Sequence, residues 1–140
     1  MTIELVPLAR VTYKVRSYIE VGRGPAGHRI VGEIDSAVVE GDRLRGALHG
    51  SAGADWMTVV GGVASLDVRW TMETHDGAVI FVHYVGRHDA GAGLGTAPAY
   101  SCPMFETADE RYTWLNPILA VGKATFADTH TVNYEWYEVR

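Results

Sequence analysis

Hydrophobic and polar positions alternate most regularly between Val63 and Thr74. The even positions there are Ala64, Leu66, Val68, Trp70 and Met72, and the odd ones are Ser65, Asp67, Arg69, Thr71 and Glu73. A period of two predicts a β-strand with one apolar and one polar face. Asp76-Gly77 then predicts a tight hairpin turn. The return run, Ala78 to Val85, is almost wholly apolar, which predicts a strand covered on both faces. Ahead of this hairpin lie four shorter β-rich runs: Leu8 to Val15, Arg29 to Val39, Leu44 to His49 and Asp55 to Val60. Gly- or Asp-centred breaks such as Gly22-Arg23-Gly24-Pro25, Glu40-Gly41-Asp42 and Gly61-Gly62 separate them. Behind it come a glycine-rich stretch, Gly86 to Ala97, and a run from Tyr100 to Thr107. One helical turn over Asp109 to Leu115 ends at Asn116-Pro117. Two last strands, Ile118 to Phe126 and Thr131 to Val139, meet at Ala127-Asp128.

The pattern amounts to about eight to ten strands joined mainly by hairpins, with one short helix. An open antiparallel sheet of that size exposes two long edges, and closure removes them. The expectation is therefore an all-β, antiparallel barrel over residues 1–140 as a single domain, with a two-sheet sandwich as the rival. A barrel of about eight strands holds one small ligand in its mouth.

Composition narrows the partners. The chain carries 12 Lys and Arg against 17 Asp and Glu, a net charge of −5, with both signs mixed along it. That disfavours nucleic acid and anionic membranes, which need a basic stripe. Cys102 is the one cysteine, so no internal disulfide forms, and it is read as a small buried residue. No apolar run approaches the ~20 residues that span a bilayer. The start, Met1-Thr2-Ile3-Glu4-Leu5, has no basic segment followed by an apolar one, so a cytoplasmic location is the expectation.

Several stretches carry a family resemblance. They are Gly41-Asp42-Arg43-Leu44-Arg45-Gly46, Gly53-Ala54-Asp55-Trp56, the strand and hairpin from Leu66 to Ala78, the segment from Phe105 to Asn116, and Tyr137-Glu138-Val139. Together they make the chain resemble the bacterial and fungal proteins grouped as domain of unknown function 3237. The resemblance spans nearly the whole chain and implies a lipocalin-like (calycin-type) antiparallel barrel. One departure is Trp70, where that family usually has tyrosine. The resemblance implies no catalytic set, and barrels of this kind serve enzymes and binding proteins alike.

The candidate chemistry starts from the odd face of the Val63–Thr74 strand. If that face lines a pocket, Arg69 would clamp a carboxylate or enolate oxygen and Glu73 would act as acid or base beside Asp67. The plain alternative is a solvated face with weak ion pairs. The apolar even face also demands burial. The charged face therefore points inward only if the even one packs on a helix or another subunit. In Gly53-Ala54-Asp55-Trp56, Asp55 is a candidate general base and Trp56 a stacking wall, against a turn aspartate beside a core indole. Glu33 is a second candidate carboxylate. Tyr84 and Tyr100 flank the glycine-rich stretch, and Phe105 and Trp114 are further candidate ligand contacts. The six histidines show no metal-ligand spacing, so no metal or other cofactor is expected. Gly91-Ala92-Gly93-Leu94-Gly95 lacks a following helix and a lysine, and is read as a mobile flap rather than a nucleotide loop.

These features point to a cofactor-independent enzyme on a small aromatic, polyketide-like or terpenoid-like molecule. It would be an isomerase, cyclase or lyase working by proton transfer, with Asp55, Arg69 and Glu73 as catalytic candidates. The alternative is a non-catalytic barrel that binds a small molecule. A homodimer through an exposed apolar sheet face is the expected assembly.

Overall fold

The computed structural model describes residues 1–140. Ten strands follow one another: β1 (Leu5–Gly24), β2 (Gly27–Glu40), β3 (Gly46–Leu48), β4 (Ala54–Val60), β5 (Val63–Thr74), β6 (Val79–Asp89), β7 (Ala99–Ser101), β8 (Met104–Glu106), β9 (Ala120–Asp128) and β10 (Thr131–Val139). Every pairing is antiparallel. Pairing runs from β1 through β2, β4, β5, β6, β7, β9 and β10, and β10 returns to β1, so the sheet closes. β3 fills the place between β2 and β5 where β4 has ended. Likewise β8 continues along β6 beyond β7. The expected antiparallel β-barrel is the observed architecture.

Local chemistry explains the joints. Gly61 and Gly62 both have positive φ (57° and 77°), which a two-residue turn between twisted strands requires. At the other end Gly77 takes φ 90°. There Asp76 accepts from Thr74 Oγ1 at 2.6 Å and from the Tyr112 hydroxyl at 2.8 Å. Those bonds tie the β5–β6 turn to the segment before β9.

Four expectations are corrected. β1 runs to Gly24, well past Val15, because its polar second half is held by pairing with β2 rather than by an apolar face. The run from Tyr100 to Thr107 breaks at Cys102-Pro103, since proline has no N–H for the ladder; Cys102 there is exposed. The helix shrinks to one 3-10 turn, Thr113–Leu115. Strand β6 is covered on one face only: Val79, Phe81 and Val85 face outward and are exposed.

The barrel is filled unevenly along its axis. At the end near the Asp76 turn, Leu44, Met72, Ile80, Trp136 and Leu115 are fully buried. Leu115, from the 3-10 turn, plugs that end. Trp70 crosses the middle, and its indole N–H donates to the Tyr13 hydroxyl at 3.0 Å. Beyond this pair the interior stays open.

Close strand packing yields a test. A Cβ on Gly86 would stand 2.3 Å from the Tyr100 carbonyl oxygen, whereas one on Gly24 would meet nothing within 4 Å. Gly86→Ala is expected to lower unfolding free energy by about 1–3 kcal/mol. Gly24→Ala should stay within about 0.5 kcal/mol of the parent. Urea unfolding measures both.

Candidate functional site

The open half of the barrel is a cavity of about 510 Å³. Its walls are mostly aliphatic and aromatic, with Val15, Ile30, Ile34, Met57, Leu66, Val68 and Val132 among them. The polar side chains reaching into it are Asp55, Tyr13, Tyr18, Tyr84, Tyr134 and His88, with Glu20, Asp128 and Thr129 toward the exposed edge. Such a mixture, apolar walls with a few convergent polar groups, is what small-molecule sites have.

Asp55 owes its position to an opening in the sheet. Pairing of β4 with β5 holds at Asp55–Val68 and again at Thr58–Ser65, but lapses between them. The Asp67 amide therefore lacks a cross-strand carbonyl, and Asp55 Oδ1 accepts its N–H at 3.1 Å. Gly32 lies opposite Asp55 on β2. Having no side chain, it lets the Tyr18 ring pack close beside the carboxylate; a Cβ there would meet that ring at 3.4 Å and the Asp55 Cβ at 3.9 Å.

Burial pushes the Asp55 carboxyl up to about 6, against the lowering effect of the Asp67 amide, and the Asp67 charge adds to the rise. Burial also pushes Tyr13, Tyr18, Tyr84 and Tyr134 above the ordinary phenol range. The Asp55 charge reinforces the rise in all four. Near neutral pH the cavity thus holds one largely ionised carboxylate among neutral phenols. Tyr13 accepts from Trp70, and Tyr18 donates to the Thr129 carbonyl at 2.7 Å. Tyr84 stands within hydrogen-bonding reach of both Tyr13 and Tyr134, so the three hydroxyls form one cluster with no backbone or carboxylate partner.

His88 has a different task. Its Nε2 accepts the Gly95 N–H at 2.9 Å, and its Nδ1 faces the Pro98 carbonyl at 3.4 Å. These are the partners of a neutral ring protonated at Nδ1. The ring also packs on Phe126, 5.2 Å between centroids. His88 thereby fastens the glycine-rich stretch across the cavity edge, where Leu94 and Gly95 form part of the wall.

Of the residues singled out in the sequence, Asp55 and Tyr84 line the cavity. The charged face of β5 is corrected: it lies on the outside of the barrel. Arg69 pairs with Asp67 at 3.1 Å, and His83 Nε2 reaches the same carboxylate at 3.1 Å. Glu73 pairs with His49 at 2.8 Å. Trp56 is on the outer surface too, with the Arg69 guanidinium 5.8 Å over its ring. Glu33 accepts from Ser17 Oγ at 2.6 Å, away from the cavity. Tyr100 is exposed on β7. Phe105 is core, edge-on to Trp136 at 5.4 Å. Trp114 sits outside the cavity, under Arg43 at 5.1 Å. The sequence reading missed Tyr13, Tyr18, Tyr134 and His88. For Tyr134 a signal existed: it shares the inward parity of Val132 and Trp136 on β10.

The family model described as "Protein of unknown function (DUF3237)" matches residues 3–139. Among solved structures, the chain is similar to a beta-barrel like protein from Acinetobacter baumannii AYE, at 30% identity and a TM-score of 0.87. That likeness covers 100% of this chain and 98% of the other. It is also similar to a conserved protein of unknown function from Rhodopseudomonas palustris, at 25% identity, 100% and 99% coverage, and a TM-score of 0.89. A structure titled as an enzyme from Penicillium herquei shares the fold at 20% identity, 98% and 93% coverage, and a TM-score of 0.71. No curated protein matches the chain. No helix is long and apolar enough to cross a membrane.

The raised Asp55 pKa has a signed consequence for stability. The group's stabilising contribution is fully present below about pH 4 and is lost as pH rises through about 6. Asp55→Asn removes that loss. It should make the protein more stable than the parent at pH 8, by up to about 3 kcal/mol, with the advantage gone by pH 4. Urea unfolding at the two pH values reads the difference. Separately, His88→Phe should speed amide hydrogen exchange at Gly95 at least tenfold while leaving β5 amides slow.

Proposed function

The chain belongs to the DUF3237 family of proteins of unknown function, and we propose that it is an enzyme that moves a proton on a small apolar molecule held in the barrel cavity. The reaction class is isomerisation, cyclisation or elimination. The observation that carries this reading is Asp55: a carboxylate enclosed by apolar walls, with no basic side chain beside it, raised to about 6. A base with a pKa near the working pH combines availability with driving force.

The chemistry needs one base and somewhere for charge to go. Asp55 takes a proton from a carbon next to a carbonyl, or from a hydroxyl. The electron pair left behind moves onto the substrate oxygen. Tyr84 and Tyr134, neutral and clustered with Tyr13 rather than tied to a backbone or carboxylate acceptor, donate to that oxyanion. The protonated Asp55 then returns its proton at a second carbon or to a departing oxygen; in a cyclisation the oxyanion adds across a C=C bond of the same molecule, that π bond breaks, and the carbanion formed takes the proton back from Asp55. Gly32, opposite Asp55, lets the Tyr18 ring stand close to the carboxylate as one wall of the substrate space. The His88-fastened stretch excludes water from one side.

The predominance of aliphatic wall around a single carboxylate also favours a second reading, a barrel that binds its ligand and releases it unchanged. Exchange of carbon-bound hydrogen separates the two. With 2-tetralone in D2O followed by NMR, the parent should accelerate α-deuteration over buffer. Asp55→Asn should lose that acceleration by 10²–10⁴-fold, on the scale of general-base catalysis, and Tyr84→Phe by about tenfold. Arg69→Gln and Glu73→Gln, on the outer surface, should keep it. Deuteration that persists in Asp55→Asn, or depends on Arg69, would overturn the assignment. A ketone that binds without exchanging would support the second reading.

A further inference from the structure

We infer that the cavity selects uncharged ligands carrying an acceptor oxygen, such as ketones, enones and ethers, and rejects carboxylates and phosphates. This deepens the preceding proposal and rests on its premise that the cavity is the ligand site. The walls carry no fixed cation: no lysine or arginine lines the cavity. The one imidazole, His88, has both ring nitrogens engaged by Gly95 and Pro98. An anion entering would leave water without gaining any cationic partner. It would instead meet the Asp55 carboxylate. At an effective dielectric of ~20, like charges ~6 Å apart repel by the equivalent of about a hundredfold in affinity.

The edge of the cavity has the same sign. Glu20 and Asp128 line it, and they are exposed and screened, so they contribute less than Asp55. Each also has a basic neighbour, so the discrimination rests on Asp55: His28 pairs with Glu20, and Lys14, whose Nζ donates to Thr131 Oγ1 at 2.8 Å, acts on Asp128.

The phenols decide between neutral and cationic ligands. Tyr13, Tyr84 and Tyr134 can make two bonds among themselves, so one of their three hydroxyl protons still needs an acceptor, and a carbonyl or ether oxygen supplies it. An ammonium group has only donors. It would satisfy Asp55 but leave that proton without an acceptor. A buried Asp55 that already receives the Asp67 N–H is also less in need of a counter-ion than a bare carboxylate.

Three probes of one shape test this by equilibrium dialysis at pH 8: 2-acetonaphthone, 2-naphthoate and 2-naphthylmethylammonium. The ketone is expected to bind at least 30-fold more tightly than the carboxylate and at least as tightly as the ammonium. Asp55→Asn should narrow the ketone-to-carboxylate ratio at least fivefold, and so should lowering the pH of the parent to 5. Glu73→Gln, on the outer surface, should change the ratio less than twofold. The inference is overturned if naphthoate binds within threefold of the ketone, or if the ammonium binds more than tenfold tighter than the ketone. It is overturned equally if the ratio ignores Asp55 or if none of the probes binds. These are binding ratios, so a failure of the proton-transfer reading, seen as deuteration indifferent to Asp55, leaves them unaltered and is recognised separately.

Discussion

Trp70 and Met72 stand inside the barrel with 1% and 0% of their surface exposed, and the rest of the molecule follows from that placement. A closed barrel has one inside, and each strand turns a single face to it. On β5 the candidates are Leu66, Val68, Trp70 and Met72 on one side, and Asp67, Arg69 and Glu73 on the other. Burying the apolar set contributes about 1.5–3 kcal/mol per side chain. Burying the charged set would cost several kcal/mol per ion. Both magnitudes favour the same pleat, so the apolar face is inside. The outer face then pairs with His83 on β6 and with His49 just after β3.

The same strand divides core from cavity. Trp70, bonded to Tyr13 at 3.0 Å, spans the barrel's waist. Below it, large side chains and the Leu115 plug fill the interior. Above it, the inward positions of β2 and β4 include Gly32 and Asp55 beside Ile30, Ile34 and Met57, and the interior stays open between them. The site is thus held between a rigid floor and a rim closed partly by the glycine-rich stretch. Such positioning on paired strands keeps a catalytic group in place better than a free loop would.

Asp55 is tolerated because two things lower its cost. The gap in the β4–β5 ladder supplies an N–H donor, and the raised pKa lets the group neutralise easily. What remains is stability given up above about pH 6, which is common where a fold carries a reactive group. Because the cavity holds no cation, that unpaired charge also governs which ligands enter. Reactivity and selectivity arise from one residue in this arrangement.

The period-two pattern on β5 and the hairpin signals around it were enough to predict an antiparallel barrel, because alternation is a local property of a strand. Asp55 stood out for a local reason too, a carboxylate next to a glycine-rich turn. The Arg69 and Glu73 reading failed because polarity along one strand does not reveal which face a barrel encloses; only the balance over all strands does. Tyr13 and Tyr18 on β1, His88 on β6 and Tyr134 on β10 lie on three strands far apart in sequence. Read singly, they resembled core aromatics and a scattered histidine. Barrel closure brings three of these phenols and Asp55 around one space, and no linear pattern encodes that meeting. The amino-acid sequence by itself determined the strands, their apolar faces and the buried carboxylate's candidacy. The tertiary structure alone decided what surrounds that carboxylate, since its neighbours are supplied by long-range strand pairing.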